Sequence, residues 1–322
     1  MAHPDLIFAP HETPVTLADM TASAPLPAPG SAGRDDRRIV LSLGCRDQTG
    51  IVARISGLIS DLGGSIVEAG YHSDAETGWF FTRQALRASS LPFGVDEFRE
   101  RLEVVAQDLG PDTDWTLHDT GEPKRIVILV SKEAHCLHDL LGRAANGELP
   151  ATIEAVIGNH KDLEPTAAAH GVTFHHVPFP KDPAERGPSF EQVRELVEAH
   201  DPHAVVLARF MQVLPATLCE RWARRAINIH HSFLPSFVGA RPYHQAYARG
   251  VKLIGATCHY VTAELDDGPI IEQDVIRVDH SDEIHDMVRQ GRDIEKLVLA
   301  RGLRWHLEDR VLVHGRKTVV FS

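Results

Sequence analysis

The sequence predicts an α/β fold built from two successive units, and three observations point to it. Between Arg38 and Asp119, strand-like and helix-like segments follow one another in the order β-α-β-β-α-β, the ferredoxin-like pattern. From Arg125 onward, short unbroken apolar runs alternate with helical segments, as strands do when a parallel sheet is covered on both faces. The chain has 322 residues, 43% of them apolar, which is more than one hydrophobic core usually takes.

Residues 1–37 are rich in Pro and Ala, as in Ala24-Pro25-Leu26-Pro27-Ala28-Pro29-Gly30, and carry no period. That predicts a disordered N-terminal tail. Ile39 to Gly44 reads as the first strand. Apolar residues at 51, 55, 58, 59 and 62 then recur at helical spacing, and Gly63-Gly64 stops the helix. Ser65 to His72 and Gly78 to Leu86 read as strands, Phe93 to Asp108 as a helix, and Trp115 to His118 as the last strand of the first unit. Gly121-Glu122-Pro123 is a linker.

The second unit, 125–322, opens with the strand Arg125 to Val130. Further strands are expected at Ala155 to Gly158, Thr173 to Val177, Ala204 to Ala208 and Ala226 to His230, with a helix at Phe190 to His200. Such a doubly wound, Rossmann-like sheet gathers ligands at the carboxyl ends of its strands. Leu253 to Val261 and Pro269 to Val278 read as a hairpin. A long helix from Ser281 to about Asp309 and a terminal hairpin, Val311 to Phe321, follow.

Composition narrows the function. A net charge of −12 argues against a broad nucleic-acid surface. No apolar run approaches the ~20 residues of a membrane span, and no basic leader precedes an apolar stretch. Cys45, Cys136, Cys219 and Cys258 are scattered and form no C-x-x-C pair, which speaks for reduced thiols in a cytoplasm and against a zinc knuckle or disulfide framework. Histidines number 20, but no H-E-x-x-H or comparable spacing occurs, so no metal is expected.

The chemistry-bearing stretch is Ala226-Ile227-Asn228-Ile229-His230-His231-Ser232-Phe233-Leu234-Pro235. Strand alternation puts Asn228 and His230 on one face and Ile227 and Ile229 on the other. Asn228 offers an amide donor for a developing oxyanion, and His230 can exchange a proton near neutral pH. Leu265-Asp266-Asp267-Gly268-Pro269 sits between two apolar strands. Alone it reads as ordinary turn chemistry. Beside Asn228 and His230, Asp266 supplies the carboxylate that orients an imidazole.

Asn228-x-His230-x-Ser232-x-Leu234-Pro235, Gly255-Ala256-Thr257-x-His259 and Asp266-x-Gly268-Pro269-Ile270-Ile271 together resemble the folate-dependent formyltransferase family over about Arg125 to Asp279. The resemblance implies a formyltransferase-fold catalytic domain with Asn228, His230 and Asp266 as catalytic trio and no cofactor beyond the folate substrate. It also implies substrate contacts from Arg209, Phe210, Met211, Val213, Leu214, His231 and Ser232. Gln212 stands where the transferases often carry Arg.

The first unit, with its Asp47-x-x-Gly50-Ile51-Val52 turn and Gly63-Gly64 stop, resembles an ACT domain. That implies pairing across subunits into a homo-oligomer. It leaves open a small effector, such as an amino acid, at Asp47, Gly50 and Ile51, against a dimerisation module with no ligand. The two units in this order are similar to the formyltetrahydrofolate deformylases, which implies hydrolysis of 10-formyltetrahydrofolate to formate and tetrahydrofolate. Two local features agree. His231 stands where the transferases usually have Pro. Ser131-Lys132-Glu133-Ala134-His135-Cys136 replaces the Gly-rich loop that in nucleotide transferases cradles a phosphate. We expect these side chains and His231 to close the acceptor side and leave room for water. A formyltransferase with an amine acceptor and a non-catalytic amino-acid sensor remain the alternatives.

Overall fold

The computed structural model of the protein describes residues 37–92, 94–236 and 242–322. Residues 1–36, most of the expected tail, lie outside them, as does Phe93, the first residue of the expected second helix. Six elements make up the first part: β1 (Arg38–Arg46), α1 (Ile51–Asp61), β2 (Ile66–Asp74), β3 (Trp79–Arg87), α2 (Gly94–Leu109) and β4 (Asp114–Asp119). The strands pair antiparallel in the order β2-β3-β1-β4. The helical spacing read from sequence carries the packing: Ile51, Ile55 and Ile59 of α1, with Phe98, Leu102 and Leu109 of α2, bury against Ile39, Leu41 and Leu43 of β1.

Fifteen elements follow. They are β5 (Lys124–Val130), α3 (His135–Ala145), β6 (Ala151–Gly158), α4 (Glu164–Ala169), β7 (Thr173–His176), α5 (Gly187–Ala199), β8 (Ala204–Ala208), α6 (Ala216–Arg221), β9 (Ala226–His230), α7 (Pro242–Arg249), β10 (Leu253–Tyr260), β11 (Ile270–Arg277), α8 (Ile284–Leu307), β12 (Val311–His314) and β13 (Lys317–Val320). Seven strands form one sheet in the order β11-β10-β9-β8-β5-β6-β7. β7, β6, β5, β8 and β9 run parallel. The expected hairpin, β10–β11, extends this sheet antiparallel, so the sheet is mixed.

β6 begins at Ala151, ahead of the expected Ala155. Its first half is only partly buried and carries Thr152 and Glu154, so no unbroken apolar run marks it. Apolar side chains cover both faces of the sheet. Ile126, Ile128, Val206, Ile227 and Ile229 pack toward α3 and α8, and Val127, Leu129, Val205 and Leu207 pack on the other side with Val193, Val197 and Trp222.

Residues 37–322 make one compact unit. The turn after α8 holds the two sheets together. Ser42 Oγ donates to the Asp309 carbonyl at 2.8 Å, the Arg83 guanidinium donates to the Glu308 carbonyl, and Lys124 Nζ lies 2.5 Å from Asp309 Oδ1. Among the described residues no helix is long and apolar enough to cross a membrane.

Candidate active site

The parallel sheet sets the place. β5 sends its crossover to β6 on one side, while β8 lies on the other, so the crevice beyond the ends of β5 and β8 is the switch point where such sheets take ligands. The two loops there are tied: Ser131 Oγ accepts from the Met211 backbone N–H at 2.9 Å. A cavity of about 650 Å³ opens at this rim.

Asn228 and His230 reach it from β9, and His259 reaches it from β10, where register places His259 opposite Asn228 and Thr257 opposite His230. Asp266 comes from the turn between β10 and β11, with φ at +56°. That strained, left-handed backbone is common at functional turns. Gly268 makes the turn possible: a β-carbon there would sit 1.8 Å from the Tyr260 carbonyl oxygen.

His230 Nδ1 lies 3.2 Å from Asp266 Oδ2. Because a carboxylate only accepts, Nδ1 carries the proton. His230 Nε2 is buried with no hydrogen-bond partner and so is free for a substrate. Burial pushes the Asp266 carboxyl up, but the hydrogen bond from His230 and the nearby imidazoles outweigh it and hold it below the usual carboxylate range.

His259 fixes Asn228. Its Nδ1 is 2.9 Å from the Tyr260 carbonyl, an acceptor, so Nδ1 is protonated. Burial pushes this imidazole down, which favours the neutral ring with Nε2 as acceptor. Asn228 Nδ2, at 3.2 Å from Nε2, must therefore be the donor. The amide is held with its nitrogen inward and its second N–H available to an oxyanion.

Of the residues expected to touch substrate, Arg209, Phe210, Met211, Val213, Leu214 and His231 line the cavity, together with Gln212. Ser232 does not. Its hydroxyl donates to the Ser236 carbonyl at 2.7 Å, because the chain turns after His230 and carries it to the other side. His231 stands beside His230, with ring centroids 5.1 Å apart. Burial, with the Arg209 guanidinium nearby, pushes His231 down to about 4, so the ring is neutral at pH 7.

The residues after β5 separate. Glu133 lines the cavity, Lys132 is exposed, and Cys136 packs into the core with α3. His135 points to Glu295, its Nε2 at 2.7 Å from Oε2. Glu295 and Tyr243 are among the wall residues that sequence reasoning missed. Glu295 is 1% exposed in the middle of α8, where nothing in its neighbourhood along the chain distinguishes it. In the first unit, Ile51 is buried in the core, which leaves Asp47 and Gly50 at the surface; the Asp47 carboxylate accepts from the Ser73 hydroxyl.

Known proteins resemble this chain in sequence and in fold. Residues 124–303 match the formyl transferase family. The formyltetrahydrofolate deformylase of Bacillus subtilis is 44% identical over 292 residues, 90% of this chain and 95% of that one. The namesake from Escherichia coli O6:H1 is 44% identical over 88% of this chain and 98% of its own. The crystal structure of a formyltetrahydrofolate deformylase from Pseudomonas syringae pv. tomato superposes with a TM-score of 0.86 at 55% identity, covering 89% of this chain and 95% of that one. A glycinamide ribonucleotide transformylase from Symbiobacterium toebii, 30% identical with a TM-score of 0.58, covers 64% of this chain and 98% of its own. With deformylase relatives matching both units and the transformylase matching less of the chain, this chain belongs to the formyltetrahydrofolate deformylase family.

Proposed function

We propose that the chain hydrolyses 10-formyltetrahydrofolate to formate and tetrahydrofolate at the site formed by Asn228, His230 and Asp266. The observation that carries the reading is their convergence on one cavity. An ionised Asp266 holds His230 Nδ1, His230 Nε2 is unpartnered, and Asn228 is fixed as a donor. Water gives a proton to His230 Nε2 as its oxygen adds to the formyl carbon, and the oxyanion takes hydrogen bonds from Asn228 and the His230 so protonated. The bond from carbon to N10 then breaks, with the proton ending on the folate nitrogen. Phe210, Met211, Val213, Leu214, Val261 and Leu265 give the cavity an apolar lining suited to the pterin ring. The scheme uses no metal and no cofactor. Incubation with 10-formyltetrahydrofolate and no acceptor tests it: formate released at enzymatic rate is expected, and turnover only on addition of an amine would make the chain a transferase.

Around this reaction we read residues 38–119 as an ACT domain and 125–322 as the catalytic domain. Edge strand β2 leaves Ile66, Val67 and Tyr71 exposed, a surface suited to pairing with a second copy. Val67→Asp with Tyr71→Asp should give a smaller species in light scattering; an unchanged mass counts against pairing through this strand. Asp47 and Gly50 are where an amino-acid effector would bind, and a melting temperature unmoved by every proteinogenic amino acid counts against one. Four buried free cysteines support a reducing, cytoplasmic setting. There the released formate would serve one-carbon balance and purine synthesis.

A further inference from the structure

One carboxylate in the cavity wall gathers side chains from three other elements. Glu295, in the middle of α8, accepts from the Tyr243 hydroxyl of α7 at 2.7 Å and lies 2.7 Å from His135 Nε2 of α3. It also faces Arg209 Nε, in the loop after β8, at 3.5 Å. Arg209 holds a left-handed backbone, φ +63°, which an L-residue adopts only when its surroundings impose it. Gly291, one turn before Glu295, leaves the slot that Tyr243 occupies: a β-carbon there would stand 2.1 Å from the Tyr243 hydroxyl. A glycine inside a helix is less favourable than alanine, so this access comes at some expense of helix stability.

A buried carboxylate is costly unless its lone pairs are filled, and removing one partner leaves the others unpaired. Two hydrogen-bonding partners, Tyr243 and His135, and the Arg209 guanidinium at ion-pair distance therefore depend on this one carboxylate. Glu295, Tyr243 and Arg209 line the cavity together with His231 and His230. Among the described residues, His135, Cys136 and Glu295 are the group whose donor atoms, all within 4.8 Å of one another, resemble a metal site. Arg209 beside Glu295 and the hydrogen bonds already made to it favour an ionic clamp instead.

We propose that Glu295, through Tyr243, His135 and Arg209, is a positioning residue that decides which nucleophile reaches the formyl carbon, by holding this wall closed to amines while leaving room for water. The inference rests on the hydrolytic reading above. Loosening the clamp frees Arg209 and Tyr243 to move aside, and an amine can then take the place of water. Its nitrogen bonds the formyl carbon, the carbon–N10 bond breaks, and the proton lost by the amine ends on N10.

The test is the partition between formate and N-formyl product when 10-formyltetrahydrofolate is turned over with methoxyamine or with the bulkier benzyloxyamine. The parent enzyme should yield formate with either amine. Glu295→Leu should raise the ratio of N-formyl product to formate by roughly tenfold or more, a change of about 1.4 kcal/mol in relative barriers, and more for benzyloxyamine. Tyr243→Phe, which removes one hydroxyl, should shift the ratio the same way by less and covers the case in which Glu295→Leu does not fold. An unchanged ratio in folded variants overturns the proposal, as does parallel loss of both reactions in both variants. Failure of the parent enzyme to release formate without an acceptor would instead sink the hydrolytic reading itself.

Discussion

Two polar clusters meet at the rim of the large sheet, and they are assembled in different ways. Asn228, His230, His259 and Asp266 come from two paired strands and the turn that follows them, so backbone register alone sets their spacing. Glu295, Tyr243, His135 and Arg209 come from three helices and a loop, and only tertiary packing brings them together. In the proposed reaction the first cluster holds the groups that touch the reacting atoms, and the second is the one proposed to shape the space that the nucleophile enters.

Breaking the first cluster should have the largest effect. His230→Ala and Asp266→Ala should each lower kcat by roughly 10³-fold or more, since each removes a proton-handling group or its anchor. Circular dichroism should show the fold intact, and near-parental formate release by either variant would remove that residue from the reaction. Asn228→Ala should cost ~10²–10³ in kcat as a lost oxyanion donor.

His259→Ala sharpens the comparison within the strand-built cluster. It leaves Asn228 in place but free to turn its amide, so kcat should fall by roughly 10–100-fold with little change in KM. A rise in KM at constant kcat would show that His259 serves binding rather than the orientation of Asn228.

The smallest effect concerns His231, which neighbours both clusters. Its imidazole is pushed from an ordinary 6.5 down to about 4 by burial and Arg209. Between those values the unfolded chain binds the proton and the folded chain does not, so stability falls as pH drops from 7 toward 4. At pH 5 the loss should be about 2 kcal/mol. The melting temperature of His231→Asn should therefore depend less steeply on pH than that of the parent. Equal slopes would show that His231 is not buried in its neutral form.

The same contrast explains what the sequence could reveal. Asn228, His230 and Asp266 were legible because strand alternation and an Asp-x-Gly-Pro turn fix them locally. β5 and β8 are legible as apolar runs and β6 only in its second half, while α1 is legible by its helical spacing. Ser232 is named only by the resemblance, and whether it faces the cavity depends on the turn the chain takes after His230, where its hydroxyl donates to the Ser236 carbonyl. Gln212 and Arg209 could be assigned to the cavity only as part of a loop. Glu295 was silent: an acidic residue in a long amphipathic helix reads as solvent-facing, and its burial follows from Gly291 admitting Tyr243 and from α3 packing alongside.

The turn after α8 has a bearing on how the chain is made. The first sheet to leave the ribosome is the one whose open face awaits Glu308, Asp309 and the hairpin that follows them. Residues 38–119 must therefore remain with an uncovered surface while nearly two hundred further residues are synthesised. During that interval Ser42 and Arg83 lack the carbonyls they will donate to, and water must fill their place.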